Sequence, residues 1–279
     1  MKRIGFAFNP TNEDALELRE RGIGWCVTRG IETWSAPAGE SNADASLLAE
    51  SDALVVLGGD GTFLRAARAS ALVDVPILGV NLGKVGFLSK AEHNDLEDVL
   101  ALLVEGAYEL EPRLALEVRV HAVDGREPAG PHIALNEAAV VRGAHARVIR
   151  AHIDIGRSHM ATYICDGIVV ASPTGSTGYS FSAGGPIIEP TSRNLVVTPI
   201  AAYLTPLRSS VVGSQHVVRV RIVEAYDSLV SIDGHEDIPL EVGDVVEVRG
   251  REAPIRFIQP RGALPFWDLL RQKAKLLPA

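Results

Sequence analysis

The sequence predicts an α/β domain with an open, mainly parallel sheet, then a mostly β domain and a C-terminal helix that packs back on the first domain. Strand-like and helix-like segments alternate over residues 1–112, which is typical of α/β architecture. After Pro112, apolar and polar residues alternate with the period of two that half-buried antiparallel strands show. The 279 residues also suit one large or two ordinary domains, at roughly 150 residues per domain.

In the first domain, each element is predicted from its apolar pattern. Residues 92–108 predict a helix, because four apolar residues between positions 96 and 103 fall on one helical face and Gly106 ends the run. The run at 53–57 is wholly apolar and bounded by glycine, which indicates a buried parallel strand. The remaining predictions are strands at 4–8 and 75–80 and a helix at 13–21.

In the second half, the alternation that begins at Leu114 predicts the first antiparallel strand. Similar strand signals recur at 217–223, 229–232, 245–248 and 255–258. We therefore assign residues 1–112 to the α/β domain, 113–264 to the β-rich domain and 265–279 to the C-terminal helix. The apolar residues available for one face of that helix are Phe266, Leu269, Leu270 and Leu277.

Composition narrows the class of protein. The net charge of −8 and the pI near 5.5 argue against a nucleic-acid partner, which normally needs a basic surface. No signal-like segment and no run of 18 apolar residues is present, so we expect a cytoplasmic protein without a membrane partner. Cys26 and Cys165 lie far apart and are interpreted as buried free thiols. No ligand spacing such as HExxH is found among His121, His132, His145, His152 and His159, so we expect no structural metal.

The stretch LVVLGGDGTFLRAAR, residues 54–68, places Asp60 among glycines between a strand and a helix. Residues without side chains let backbone N–H groups approach a phosphate closely. A carboxylate beside phosphates needs a task, such as accepting a proton or helping to hold a metal ion. An ordinary β-turn with an aspartate at the bend is the other interpretation of this motif.

Three further segments favour a ligand site. NLGKVGFLS, residues 81–89, follows the next predicted strand and should lie at the same carboxyl edge of the sheet. Asn136 and Glu137 interrupt an apolar stretch, and a buried polar group needs a partner. Residues 165–187, CDGIVVASPTGSTGYSFSAGGPI, are rich in Gly, Ser and Thr, which suits a loop around a polar ligand.

Together these four segments resemble the NAD kinase family, which phosphorylates NAD to NADP. The resemblance covers residues 52–190, and the segment at 165–187 is its most specific part. It implies an enzyme that binds NAD and ATP, uses Mg²⁺ or another divalent cation, and assembles as a homodimer or homotetramer. It also assigns Asp60 as the catalytic base for the 2′-hydroxyl of the adenosine ribose.

The resemblance implies further roles for individual residues. Gly58, Gly59, Gly61 and Thr62 correspond to the phosphate-donor turn, and Gly61 also lies at the NAD substrate. The other implied NAD contacts are Arg65, Asn136, Glu137, Arg147, Asp166, Thr177, Gly178, Tyr179, Ser180, Phe181 and Ser182, with Phe87 and His235 as possible additions.

Some positions depart from the usual family pattern. Gly178 stands where Ala is common, Val85 where Leu is common, and His235 near a position where Gln is common, which leaves the role of His235 open. Arg65 and Arg147 also fit solvated surface residues, and Tyr179 also fits a core aromatic.

Two other classes of protein remain open at this point. A lipid or sphingoid-base kinase also carries GGDGT, but it lacks the Asn-Glu pair and the TGSTGYSFSAGGPI segment. A non-catalytic nucleotide sensor should have lost Asp60. The sequence contains no GxxxxGK[ST], and its first turn shows no GxGxxG, so neither a P-loop enzyme nor a dinucleotide-binding oxidoreductase is indicated.

Overall fold

The computed structural model describes residues 1–39, 45–83, 86–123, 125–145, 147–203, 205 and 207–274. The chain divides into two compact units. The first unit is Met1–Pro112 with Ile255–Ala279, and the second is Arg113–Pro254. Val85 and Leu277, which the sequence analysis singled out, lie outside the described residues.

Up to the unit boundary, strands and helices alternate along the chain. The elements are β1 (Arg3–Phe8), α1 (Glu13–Val27), β2 (Glu32–Pro37), α2 (Ala45–Ala49), β3 (Ala53–Leu57), α3 (Asp60–Val73), β4 (Ile77–Asn81), β5 (Ala91–Glu92), α4 (Leu96–Glu105) and β6 (Tyr108–Arg113).

The rest of the chain is mostly strand. The elements are β7 (Leu116–His121), β8 (Ala129–Ala134), β9 (Glu137–Arg142), β10 (Ile149–Ile155), β11 (Ser158–Cys165), β12 (Gly167–Ala171), α5 (Tyr179–Ser182), β13 (Asn194–Ile200), β14 (Ser210–Gly213), β15 (Val218–Glu224), β16 (Ser228–Ile232), β17 (Glu236–Leu240), β18 (Val245–Gly250), β19 (Ile255–Pro260) and α6 (Phe266–Ala274).

The first unit contains a seven-stranded sheet in the order β2-β1-β3-β4-β19-β6, with β5 beside β4. The pairings of β1 with β2 and β3, and of β4 with β3, β5 and β19, are all parallel. Strands β3 and β4 are buried along their whole length, as a parallel sheet covered on both faces requires. The predicted α/β domain with a mainly parallel sheet is confirmed.

Helix α4 follows its predicted pattern. Leu96, Val99, Leu100 and Leu103 are buried, and Gly106 ends the helix with a left-handed φ of 71°. Glycine adopts that conformation without the steric cost of a Cβ. Helix α1 runs to Val27, beyond the predicted end at position 21, because Gly22 and Gly24 continue the helix instead of ending it.

One predicted assignment is wrong. The strand signal at 255–258 was placed in the β-rich domain, but β19 belongs to the first unit and pairs with β4. Ile255, Phe257 and Ile258 are all buried, so both faces of this strand are covered. The apolar pattern identifies a strand but does not indicate which strand it pairs with. The pairing joins residues that are far apart in the chain.

The C-terminal helix α6 packs within the first unit, as predicted. Leu269 is buried, and the ring of Phe266 lies 6.2 Å from that of Phe87, measured between ring centroids. The ammonium of Lys273 lies 4.9 Å from the centroid of the same Phe87 ring, a cation–π contact.

The second unit is built from two six-stranded sheets, in the orders β11-β10-β15-β18-β7-β8 and β14-β13-β12-β9-β16-β17. Their described pairings are antiparallel, for example β10 with β15 and β9 with β12. Buried residues of both sheets form one apolar cluster, which includes Val118 and Val220 of the first and Val140 of the second. This confirms the predicted mostly β domain.

Cys26 and Cys165 are free and buried, as predicted. Burial raises the pKa of the Cys26 thiol to about 11 and that of Cys165 to about 12, so both stay protonated near neutral pH. Among the described residues, no helix is both long and apolar enough to cross a bilayer.

Candidate functional site

The glycine turn of the first unit leads directly from the buried strand β3 into helix α3. Gly59 is the N-cap of α3 and Asp60 is its first residue, so Asp60 and Gly61 lie in the first helical turn. The N-terminal N–H groups of a helix have no partner within the helix and attract anions. A Cβ on Gly58 would lie 2.7 Å from Oγ1 of Thr62, so the buried Thr62 side chain packs against a residue that must be small.

The carboxylate of Asp60 faces the segment that follows β4. The backbone N–H groups of Phe87 and Leu88 donate hydrogen bonds to it. A Cβ on Gly86 would lie 2.0 Å from Oδ1, so only glycine permits this approach. The structure thus brings the GGDGT turn and the described part of the NLGKVGFLS segment into contact.

The environment of Asp60 raises the pKa of its carboxyl. Burial is the largest cause, because it disfavours the charged form. The hydrogen bonds from Phe87 and Leu88 and the charge of Lys273 act in the opposite direction. Oδ1 is buried and has no hydrogen-bond partner among the described residues. A buried acceptor without a partner, on a carboxyl of raised pKa, is suited to receive a proton from a ligand.

Two other predicted residues of the first unit lie near this turn. Arg65 is half-buried on α3, and its Cδ lies 3.4 Å from where a Cβ on Gly39 would be. Phe87 is half-buried between Phe266 and Lys273. The part of Phe87 that contacts Asp60 is therefore its backbone N–H, which donates a hydrogen bond to the carboxylate, and not its ring.

In the second unit, Asn136 and Glu137 are held by a residue that the sequence analysis missed. The carboxylate of Asp233 accepts hydrogen bonds from the backbone N–H groups of Leu135 and Asn136, both at 2.8 Å, and of Glu137 at 3.0 Å. Asp233 is buried and has a left-handed φ of 51°. The Asp-Gly turn in SIDGH, between β16 and β17, was the available signal for it.

The glycine-rich segment, residues 165–187, packs directly against Asn136 and Glu137. The carbonyl of Asn136 accepts a hydrogen bond from the N–H of Ser172 at 2.8 Å, and a Cβ on Gly175 would lie 2.2 Å from that carbonyl oxygen. A Cβ on Gly178 would lie 3.3 Å from Oε2 of Glu137 and 3.7 Å from Nδ2 of Asn136. The two segments therefore form one local structure.

The side chains of Asn136 and Glu137 carry buried polar atoms that lack partners in the described part of the chain. These atoms are Oδ1 of Asn136 and Oε2 of Glu137. Burial, followed by the negative charge of Asp233, raises the pKa of Glu137 to about 8. Near neutral pH this carboxyl is therefore largely protonated and can donate as well as accept a hydrogen bond.

A cavity of about 460 Å³ opens beside Glu137 within the second unit. Asp166 and Tyr179, for which the sequence resemblance implies contacts with NAD, also line it, and Tyr179 is 42% exposed and so is not a core aromatic. The lining residues that sequence reasoning missed are Ala139, Val141, Arg142, Ile200, Ser231 and Gly234. Nε of Arg142 lies 3.0 Å from Oδ1 of Asp166, which fixes both charges at the cavity.

The remaining residues of the glycine-rich segment differ in their surroundings. Ser180 is buried, with its hydroxyl 3.0 Å from that of Thr198. Phe181 is 52% exposed and Ser182 is exposed, whereas the hydroxyl of Thr177 donates to the carbonyl of Thr174 at 3.3 Å. Of residues 177–182, only Tyr179 is among the lining residues of the cavity.

Two predicted residues lie away from the cavity lining. The guanidinium of Arg147 lies 4.5 Å from the ring centroid of Tyr226, on an exposed stretch next to β10. His235 is exposed in the turn that contains Asp233, and its N–H donates to the carbonyl of Ile232 at 3.1 Å. The residue of this turn that reaches the cavity is Gly234.

Each of the two units contains a segment that matches a known protein family domain. Residues 26–108 match the ATP-NAD kinase N-terminal domain, and residues 135–259 match the ATP-NAD kinase C-terminal domain. The NAD kinase of Heliobacterium modesticaldum is 37% identical over 284 residues, covering 98% of each chain. The NAD kinase of Symbiobacterium thermophilum is 42% identical over 225 residues, covering 80% of this chain and 78% of that protein.

Two solved structures are also similar. An NAD kinase from Archaeoglobus fulgidus in complex with ATP is 25% identical, with a TM-score of 0.76 over 99% of this chain and 100% of that one. The yeast NADH kinase complexed with NADH is 24% identical, with a TM-score of 0.85 over 99% of this chain and 87% of that one, and shares the fold. The segments at 58–62, 136–137 and 165–187 lie within the matched domains, and the chain belongs to the ATP-NAD kinase family.

Proposed function

We propose that this protein transfers a phosphoryl group from ATP to the 2′-hydroxyl of the adenosine ribose of NAD, giving NADP. The observation that carries the proposal is the buried Oδ1 of Asp60, which has no hydrogen-bond partner in the described part of the chain and lies beside the N-terminus of α3. Membership of the family and relatives named NAD kinase support the same reaction. Phosphoryl transfer depends mainly on positioning and charge neutralisation, so a preformed turn with few residues can serve it.

In this proposal Asp60 orients the acceptor hydroxyl and takes its proton as the oxygen attacks phosphorus. The raised pKa makes its carboxylate a better proton acceptor than an exposed aspartate. The N–H groups of Phe87 and Leu88 hold the carboxylate in place, which limits the reorganisation needed during transfer.

The donor phosphates are assigned to the turn that contains Gly58, Gly59, Gly61 and Thr62. The positive end of the α3 dipole favours an anion at this turn. Arg65, one turn into α3, adds a positive charge near that end. Asp60 and the donor phosphates would hold Mg²⁺, since such sites typically use one or two carboxylates together with substrate phosphates. When bound, the ion neutralises phosphate charge.

The NAD acceptor is assigned to Asn136, Glu137, Asp166 and the glycine-rich segment. Buried Oδ1 of Asn136 requires a donor, and adenosine offers ribose hydroxyls and an amino group. Protonated Glu137 offers an O–H, which an adenine ring nitrogen accepts. Tyr179 and Asp166 line the adjacent cavity, and Gly178 leaves room beside Glu137.

The proposed roles of the other residues depend on the family resemblance. Four residues are proposed to shape the NAD-binding segment: Thr177, Ser180, Phe181 and Ser182. Ser180 does so through the contact of its hydroxyl with that of Thr198. Arg147 and His235 are proposed as NAD contacts on the family resemblance alone. The proposal also includes a cytoplasmic homodimer or homotetramer, as the resemblance implies.

The test is to incubate the protein with NAD, ATP and Mg²⁺ and to measure NADP. We expect NADP to form, no phosphorylation of diacylglycerol or sphingosine, and competitive inhibition by NADP against NAD. Polyphosphate as donor and NADH as acceptor are run in parallel. A site built to hydrogen-bond its substrate discriminates by roughly 10⁴-fold or more against an analogue that lacks the bonded groups. Lipid phosphorylation without NADP would overturn the proposal.

A further inference from the structure

A second group of ligand-type side chains lies in the second unit, on the hairpin formed by β10 and β11. His152 and Asp154 are two residues apart on β10, so their side chains point to the same face of the sheet. His159, on β11, pairs directly with Asp154 across the hairpin. None of these three residues is among those lining the cavity beside Glu137.

The ligand atoms of these side chains converge. Nε2 of His152 lies 3.2 Å from Oδ1 of Asp154, and Nδ1 of His159 lies 3.5 Å from the same oxygen. One ligand atom from each residue falls within 4.8 Å of the other two. The two imidazole rings stack, with centroids 3.9 Å apart and planes 23° apart.

We propose that His152, Asp154 and His159 bind a divalent transition metal of the zinc class, with a fourth position open to water. Ligand atoms bonded to tetrahedral zinc at about 2.0–2.2 Å lie roughly 3.3–3.6 Å from one another. The nitrogen–oxygen distance of 3.5 Å falls within this range and that of 3.2 Å lies about 0.1 Å below it, so neither edge needs movement of the backbone. The ligand nitrogens of the two imidazoles lie within 4.8 Å of each other, so the rings must rotate out of their stack to close this third edge.

The surroundings of the cluster support this site. The hydroxyl of Thr162, which pairs with His152 across the hairpin, lies 3.3 Å from Nδ1 of His152. If Nδ1–H donates to this hydroxyl, Nε2 keeps its lone pair for a metal, and such outer hydrogen bonds typically orient histidine ligands. Two imidazoles and one carboxylate favour zinc, cobalt, nickel or copper over Mg²⁺, which prefers oxygen ligands.

The bound ion would join the two strands of the hairpin at β11, the edge strand of its sheet. It is distinct from the Mg²⁺ proposed for phosphoryl transfer, because no residue of this cluster belongs to the assigned catalytic or NAD-binding set. A metal that binds only the folded hairpin stabilises the folded protein.

The experiment uses the full chain without a histidine tag, stripped of metal with a chelator and free of nucleotide. Titration with Co²⁺ should give the intense visible absorption of four-coordinate cobalt, saturating at one ion per chain and lost on addition of Zn²⁺. His159→Ala and, separately, Asp154→Asn should abolish the band. His121→Ala, an exposed histidine on β7 of the same sheet, should leave it unchanged.

Thermal unfolding gives a second measurement. Zn²⁺ should raise the Tm of the wild type and of His121→Ala but not of His159→Ala, and Mg²⁺ should not produce this difference between variants. Absence of the cobalt band in the wild type, or its persistence in His159→Ala, would overturn the proposal. Circular dichroism of each variant without metal checks that the fold is intact.

Discussion

Asp60 and Glu137 are both half-buried residues whose carboxyls have raised pKa values, and each has one buried oxygen without a hydrogen-bond partner among the described residues. Their surroundings nevertheless differ. Two backbone N–H groups and Lys273 favour the ionised form of Asp60, whereas the charge of Asp233 further disfavours ionisation of Glu137. Burial in these two surroundings suits Asp60 to its proposed role as proton acceptor and Glu137 to its proposed role as a neutral acid.

The largest expected effect is that of Asp60→Asn. The exchange is nearly isosteric and keeps an oxygen for the N–H groups of Phe87 and Leu88, but it removes the proton acceptor. We expect kcat to fall by roughly 10²- to 10⁴-fold while NAD affinity is retained. Steady-state kinetics and calorimetric titration with NAD measure the two quantities.

The matched control is Asp98→Asn, an exposed aspartate in the first turn of helix α4 of the same unit, which should behave as wild type. If Asp60→Asn turns over NAD at close to the wild-type rate, Asp60 is not the proton acceptor and serves only in the turn.

A second prediction concerns the pH dependence of stability and uses Glu137→Gln. The folded-state pKa of about 8 lies above the ordinary value of 4.5, so ionisation of Glu137 opposes folding. Wild-type stability should therefore fall, relative to Glu137→Gln, as pH rises from about 4.5 through 8. The free energy of unfolding can fall by at most about 1.4 kcal/mol per pH unit, because only one proton is involved.

Urea unfolding of both proteins at several pH values measures this difference. Glu241→Gln is the control, because Glu241 is exposed in the same unit, and its curve should run parallel to that of the wild type. A constant offset between Glu137→Gln and wild type across this range would contradict a raised pKa.

The smallest expected effect is that of Asn136→Ala. Hydrogen bonds made both before and during transfer contribute equally to the ground state and the transition state, so their loss changes KM more than kcat. A net contribution of about 1 kcal/mol predicts a roughly 5-fold rise in KM for NAD. Initial rates over a range of NAD concentrations provide the measurement, and a collapsed kcat at unchanged KM would refute the assignment.

Local patterns predicted much of the first unit. The apolar run of β3, the one-sided face of α4 and the glycine after it are properties of neighbouring residues, and the structure has them as predicted. The assignment of β19 was wrong, because pairing with β4 is a choice among distant partners that a strand pattern does not encode.

The candidate site divides in the same way. The sequence identified four parts of the candidate site because each stands in a short motif of neighbouring residues: Asp60, Asn136, Glu137 and the glycine-rich segment. Arg142 at the cavity and Asp233 behind the Asn-Glu pair were missed. The Asp-Gly motif signals a turn at Asp233, but no local pattern shows that Asp233 holds the backbone of the Asn-Glu pair or that Arg142 contacts Asp166.

The sequence by itself determined the family, the order of the two kinds of domain and the residue types of the turn and the Asn-Glu pair. Only the tertiary structure decided which carboxyl is buried, which atoms lack partners and which histidines meet across a hairpin. The physical reason is that desolvation and hydrogen bonding depend on groups brought together in space. Residue types in the chain set which groups can ionise, but their three-dimensional neighbours set at what pH they do.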